Sequence, residues 1–214
     1  MNFPRLSPLG DTVLTVTFGE EIEAATNAEV VARARQLEDA SIIGVSDVVP
    51  SYAALALHFD PAIVAGEDLR DRVAELLSQT AAKMDPTSAR LHRIPVRYDG
   101  EDIRDVAART GLSVGDVIDI HSGPEYDVYV IGFVPGFAYL GILDERLALP
   151  RRDSPRKQVP AGSVAIAERQ TGIYPSQTPG GWHLIGNADV SLFDVTRAKP
   201  ALLAAGDRVK FYPA

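Results

Sequence analysis

Thr12 to Phe18 alternates, with Leu14, Val16 and Phe18 on one face, and this predicts a strand with one side against a core. From Ile22 to Leu37 the period lengthens: Val30, Ala34 and Leu37 recur along one side of a helix. Val45 to Pro50 is apolar and β-branched, which favours a strand, and Ala53 to Phe59 alternates again through Leu55, Leu57 and Phe59. Only two residues separate these strands, so a hairpin is expected. Leu69, Val73, Leu76 and Leu77 then repeat at i, i+4, i+7 and i+8, the stripe of an amphipathic helix. The order β-α-β-β-α predicts a small α/β plait with both helices on one sheet face. Lys83 to His92, with Pro86, Thr87 and Ser88, reads as a linker.

Beyond it the pattern changes. Ile94 to Tyr98 reads as a strand, followed by short helices at Glu101–Arg109 and Val114–Ile120. Gly111 suits the end of the first, and Ser113 with Asp116 forms a capping box for the second. Tyr126–Ile131, Ser163–Ala167, His183–Ile185 and Arg208–Tyr212 are expected strands among turns. Of 32 Gly plus Pro residues, 16 fall between Ser122 and Gly186, a density that suits short strands and shaped loops over long helices.

Composition sharpens the division. Of 214 residues, 46% are apolar and 23% charged, enough to build a core and to exclude general disorder. Residues 1–85 hold 6 Lys/Arg against 14 Asp/Glu, whereas 86–214 hold 15 of each, so the net charge of −8 sits wholly in the first part. Two domains are expected, 1–85 and 86–214. There is no cysteine, which excludes thiolate nucleophiles, thiolate metal sites and disulfides. No apolar run reaches the ~20 residues of a membrane span, and Met1 to Pro8 does not read as a secretory signal, so a cytoplasmic protein is expected. The stretch Asp102–Ile120 has the outline of a helix-turn-helix. Its second helix carries Asp116 and Asp119 and no cation, which would repel phosphate, so neither nucleic acid nor membrane is expected as a partner.

Candidate chemistry lies mostly in the Gly/Pro-rich part. There is no phosphate loop, dinucleotide fingerprint or nucleophile elbow. The histidines His58, His92, His121 and His183 show no metal-binding spacing. His121 ends a short helix, where it is either a cation on the dipole or a proton-transfer group. Arg146–Lys157 holds five basic residues against one acidic, stiffened by Pro150 and Pro155. It is either an anion site using Arg151, Arg152, Arg156 and Lys157, or a solvated or docking loop. Gly132–Leu140, Gln170–Pro175 and Thr178–Trp182 interleave glycine, proline and aromatics, as a ligand cleft or a structural barrel-end turn would.

Gly132–Leu140, Pro150-Arg151, Val159–Val164, Gln170–Pro175, Pro179–Trp182 and the closing Ala205–Phe211 occur in this order in the family of 5-oxoprolinase B subunits, also described as allophanate hydrolase subunit 1-like or Kip-type inhibitors. Ile94–Gly100 and His121-Ser122 match it as well, so the resemblance spans essentially the whole chain. Two stretches depart from the family pattern, Ala167-Glu168-Arg169 and Gly186-Asn187-Ala188. The resemblance implies an α+β chain, with an N-terminal ferredoxin-like plait followed by a C-terminal cyclophilin-like β-barrel. It implies the B subunit of an ATP-dependent 5-oxoprolinase, which opens 5-oxo-L-proline to L-glutamate. The implied partners are a Kip-antagonist-like C subunit, in a heterodimer or heterotetramer, and an A subunit. ATP with Mg2+ is the implied cofactor, held by this chain or by one of those partners. The implied alternatives are an inhibitor of a sensor histidine kinase, or a carboxyltransferase or allophanate-hydrolase-type protein that acts on another amide. Under the enzymatic reading, His121 and Gln170 are the catalytic candidates. Phe133, Phe137, Tyr139, Arg151, Arg156, Tyr174, Gly180, Gly181 and Trp182 are the substrate-binding candidates, and no metal ligand is expected.

Overall fold

The computed structural model describes residues 3–79 and 89–214, and the chain divides into two compact units, Met1–Ser88 and Ala89–Ala214. Most of the expected linker, residues 83–88, lies outside the described residues.

In the first unit, strands β1 (Arg5–Pro8) and β2 (Val13–Thr17) precede helix α1 (Ala24–Asp39). Then come β3 (Val45–Pro50), β4 (Ala54–Phe59) and helix α2 (Gly66–Ser78). The sheet order is β1-β2-β4-β3, all antiparallel. Leu14 and Val16 of β2 lie beside Leu57 and Leu55 of β4, and these join Val30, Ala34, Leu37, Leu69 and Val73 in one buried cluster. Alternation in the strands and the 3.6-residue stripe in the helices thus supply the same core. β1 was not expected from sequence; it is a four-residue edge strand ending in Pro8, a place where proline is tolerated.

The second unit is a mixed α+β body around a nearly closed sheet. β5 (Leu91–Val96) leads to α3 (Ile103–Thr110) and α4 (Val114–Ser122). β6 (Glu125–Ile131), β7 (Ala138–Gly141), β8 (Arg156–Val159), β9 (Ser163–Ala167), β10 (Gln170–Ile173), β11 (Thr178–Gly180), β12 (His183–Asn187) and β13 (Arg208–Pro213) follow. Seven strands form the order β12-β9-β10-β7-β6-β13-β5, in which only β13 and β5 run parallel. The two edges meet where Arg97 and Asn187 exchange backbone hydrogen bonds of 2.9 and 2.8 Å. A glycine is required there, because a Cβ on Gly186 would lie 2.6 Å from the Arg97 carbonyl oxygen. Helix ends follow the sequence: Gly111 closes α3 in the left-handed conformation at φ 72°, and the Ser113–Asp116 capping box opens α4.

β9 is buried at every residue because it has a core on each side. Val164 and Ile166 face the barrel interior with Tyr126, Leu140 and Phe211. Ala165 and Ala167 face a second cluster with Phe137, Tyr174 and Trp182. The two-stranded ribbon β8–β11 brings Val159 onto that second cluster. β7, β8, β10 and β11 are strands where only loops and turns were expected. They are only three or four residues long, too short to show a period of two, and they lie among Gly- and Pro-rich turns. His92 also differs from expectation: it is a β5 residue whose Nε2 lies 3.1 Å from Asp207 Oδ2, since the strand starts at Leu91. Among the described residues no helix is long and apolar enough to cross a membrane.

Candidate functional site

Phe137, just before β7, is 2% exposed and organises a cleft on the outer cluster. Its ring makes edge contacts with Tyr139 at 4.8 Å, Tyr174 at 5.3 Å and Trp182 at 5.6 Å between centroids. Edge-to-face packing places the positive rim of one ring on the negative face of another, so the cluster is both apolar and geometrically specific. The Gly132–Gly136 turn carries Phe133 to the mouth of the cleft, where it is 61% exposed and 5.7 Å from Phe137. Phe133 has φ 69°, a left-handed conformation that a non-glycine side chain disfavours. Its backbone strain is spent on placing an aromatic ring in solvent beside the cleft.

The opposite wall comes from the β11 end. Tyr174 Oη accepts a hydrogen bond from the Trp182 backbone N–H. That approach depends on Gly180, since a Cβ there would overlap Tyr174 Oη and lie 2.8 Å from Cζ. Gly181, Pro155 and Pro179 complete the wall, and the cleft has a volume of about 270 Å³. Burial raises the Tyr139 and Tyr174 hydroxyls above their ordinary value, and the Arg151 charge opposes the rise at both. Both therefore remain protonated near neutral pH and present O–H groups.

Arg151 is the only cation among the lining residues, and it is exposed, with no carboxylate paired to it among the described residues. Its neighbours are tied down. His183 Nε2 donates to the Pro150 carbonyl oxygen at 2.9 Å, and the Arg152 backbone N–H donates to the Gly181 carbonyl oxygen at 2.8 Å. Arg152 and Arg156 both donate to Asp102 Oδ1, at 2.9 and 2.7 Å, while Oδ2 accepts from the Leu184 N–H at 2.7 Å. Burial alone would raise the Asp102 carboxyl. The Arg156 hydrogen bond, the Leu184 N–H and the two guanidinium charges more than reverse that and hold it below its ordinary value.

The structure therefore brings together Phe133, Phe137, Tyr139 and Arg151 with Tyr174, Gly180, Gly181 and Trp182. It leaves out three candidates. Arg156 is not a cleft residue: its guanidinium is engaged by Asp102 and by Glu101 at 3.0 Å. Gln170 opens β10 next to the tight turn after Ala167, away from the lining. His121 is neither a helix-end cation nor a cleft group. It is 0% exposed, stacked 4.8 Å from Phe211 in the barrel interior, and burial pulls its pKa down to about 3. Its tautomer follows from its partners. Thr171 Oγ1 donates to the Ala165 carbonyl oxygen at 3.1 Å, so it must accept from His121 Nε2–H at 2.8 Å. Nδ1 is then the acceptor for the Tyr98 hydroxyl at 2.7 Å. Every polar atom of the imidazole is satisfied while neutral.

Sequence reading missed Asp102 and the anchoring role of His183. The first looked like an ordinary acidic residue near a helix start, and the second like an isolated histidine. Their meaning lies in partners 33 to 82 positions away. Among the described residues no group of three or more His, Asp or Glu is placed to hold a metal ion.

Comparison with known proteins agrees with the family resemblance. A family model described as carboxyltransferase domain, subdomain C and D, matches residues 4–203. The chain is 40% identical over 220 residues to the 5-oxoprolinase B subunit of Bacillus subtilis (strain 168), covering 97% of this chain and 91% of that protein. It is 39% identical over 216 residues to the 5-oxoprolinase B subunit of Escherichia coli O157:H7, covering 100% and 97%. The crystal structure of TTHA0988 superposes with a TM-score of 0.85 at 41% identity over 94% of this chain, which spans 40% of the TTHA0988 length. The urea amidolyase of K. lactis superposes with a TM-score of 0.76 over 98% of this chain, but at 18% identity and 15% of that chain, a likeness of fold alone.

Proposed function

The chain belongs to the carboxyltransferase-domain (subdomain C and D) family that includes the 5-oxoprolinase B subunits, and on that premise we propose that it is the B subunit of an ATP-dependent 5-oxoprolinase. In this reading it binds 5-oxo-L-proline for ring opening to L-glutamate, together with a Kip-antagonist-like C subunit and an A subunit. The first unit is read as a ferredoxin-like plait and the second as a cyclophilin-like barrel. The observation that carries the proposal is the cleft itself: one arginine, in no ion pair among the described residues, beside a wall of edge-packed aromatics.

The chemistry fits the substrate. 5-Oxoproline is a small planar lactam bearing one carboxylate. Arg151 supplies a guanidinium fork for that carboxylate, and because Arg151 is exposed, solvent screening holds the pair to about 1 kcal/mol. Phe137 and Trp182 flank the ring. Tyr174, whose oxygen already accepts from Trp182 N–H, retains its own proton to donate to the lactam carbonyl. Excluding water from this wall strengthens both contacts.

An ATP–Mg2+ complex does not suit the same residues. A triphosphate carries several charges and calls for multiple cations or a glycine-rich cradle of N–H groups. The cleft offers Arg151 alone and is walled by rings. We therefore assign ATP to a partner polypeptide. The greater length of TTHA0988, of which this chain matches 40%, favours a companion polypeptide beside the fold described here.

The test is to purify the chain with its co-expressed partners and measure ATP hydrolysis that depends on 5-oxoproline. Turnover that is lost when this chain is omitted supports the proposal. Absence of turnover, combined with slowing of a sensor histidine kinase's autophosphorylation or with capture of a biotinylated carrier, would overturn it in favour of the regulatory or the carboxyl-transfer role.

A further inference from the structure

The segment carrying Arg151 and Pro155 and the segment carrying Gly181 and Trp182 are separate stretches of chain that must keep a fixed spacing for the cleft to have a defined width. Backbone pairing already joins them, through the β8–β11 ribbon in which Gly180 lies opposite Arg156 and through Arg152 N–H to the Gly181 carbonyl, and the His183 side chain adds a bond from Nε2 to the Pro150 carbonyl. These ties fix the two segments to each other and not to the barrel body. The side chains of Arg152 and Arg156, which bracket Pro155, converge instead on one carboxylate from outside either segment, Asp102. Its other oxygen holds Leu184 N–H, two residues past Trp182. Asp102 itself is 5% exposed and sits at the start of α3, which roots it in the barrel body.

We propose that Asp102 is the positioning residue of the cleft: one oxygen gathers the arginines on either side of Pro155, the other holds the strand after Trp182, and together they set the distance between Arg151 and the indole. The substrate named for the cleft rests on the proposed function, but the spacing role does not. Asp102 touches no ligand. It acts through the walls.

The variant Asp102→Asn keeps the shape and loses the charge. Its amide can satisfy Leu184 N–H through oxygen only by turning N–H groups toward the two guanidinium groups, so the arginines are released. Trp182 is the only tryptophan of the chain, so its fluorescence reports the wall directly. In the folded variant, with unchanged far-UV circular dichroism, acrylamide quenching of Trp182 is expected to rise. In the reconstituted complex the KM for 5-oxoproline is expected to rise between tenfold and about a hundredfold, the scale of a misplaced binding group, while kcat changes far less. Asp105→Asn, a surface carboxylate on the same helix, should leave both unchanged. If Asp102→Asn does not fold, Arg152→Gln removes one arm and is read the same way. A purely stabilising Asp102 would lower the melting temperature and leave quenching and KM of the folded protein at wild-type values, and that result overturns the proposal. If the wild-type complex fails to turn over 5-oxoproline, the functional assignment falls, and the quenching measurement still decides the role of Asp102.

Discussion

His183 donates from Nε2 to the carbonyl oxygen of Pro150 at 2.9 Å, one residue before Arg151. A fully buried imidazole thus fixes the backbone from which the cleft's only cation projects. Among the described residues Arg151 itself is in no ion pair. Arg151→Ala is therefore expected to leave the melting temperature nearly unchanged. Removing an exposed charge-assisted contact of about 1 kcal/mol should raise the KM for 5-oxoproline about fivefold. Steady-state kinetics of the complex and a thermal melt of the chain check the two halves separately.

Gly180 is a spacing residue for Tyr174. In Gly180→Ala the new methyl group meets the phenol at Oη and Cζ, so the ring must leave the Trp182 N–H and move into the cleft. Affinity for the substrate is expected to fall by at least tenfold, about 1.4 kcal/mol. Adding Tyr174→Phe removes the atom nearest the clash. Calorimetric titration should show the double variant binding better than Gly180→Ala alone, a coupling between contacting residues.

His121 makes stability depend on pH. Its folded pKa lies near 3, below the ordinary 6.5, so between these values the unfolded chain takes up a proton that the folded chain refuses. Stability from this source is complete above pH 6.5 and declines as pH falls toward 3, at up to about 1.4 kcal/mol per unit. Urea unfolding at pH 7.5 and pH 5 should show a larger loss for wild type than for His121→Gln. Nitrogen chemical shifts of the imidazole should report the neutral Nε2–H tautomer at pH 5.

Thr171→Val replaces the acceptor of His121 Nε2–H with a methyl group in a fully buried position. The orphaned donor is expected to cost about 1–3 kcal/mol. Because this network lies in the barrel interior and not in the cleft, KM should stay within a factor of two or so at temperatures where the variant is folded. Denaturant melts and kinetics on the same preparation test this.

Much of the scaffold was legible along the chain. Leu14, Val16 and Phe18, then Leu69, Val73, Leu76 and Leu77, announced their faces because a buried surface imposes its period on any element long enough to show it. Gly111 and the Ser113–Asp116 pair marked helix ends because caps are satisfied within a few residues. β7, β8, β10 and β11 were not legible. Each has only three or four residues, too few for a period of two to show, and each lies among Gly- and Pro-rich turns.

The candidate cleft divides along the same line. The glycine, proline and aromatic stretches carry Phe133, Phe137, Tyr139, Tyr174 and Trp182, but by themselves they left a ligand cleft and a structural turn both open, and the family resemblance was needed to name these residues together. Arg151 and Arg156 were indistinguishable on that basis. Only the folded chain separates them, by carrying Asp102 across 54 positions to Arg156 and leaving Arg151 open in the cleft. Capping, turn geometry and periodicity act within a turn or two of the chain and are written there. Charge pairing and the protonation of a buried imidazole depend on which distant groups close packing brings within a few ångströms, and only the tertiary structure decides that.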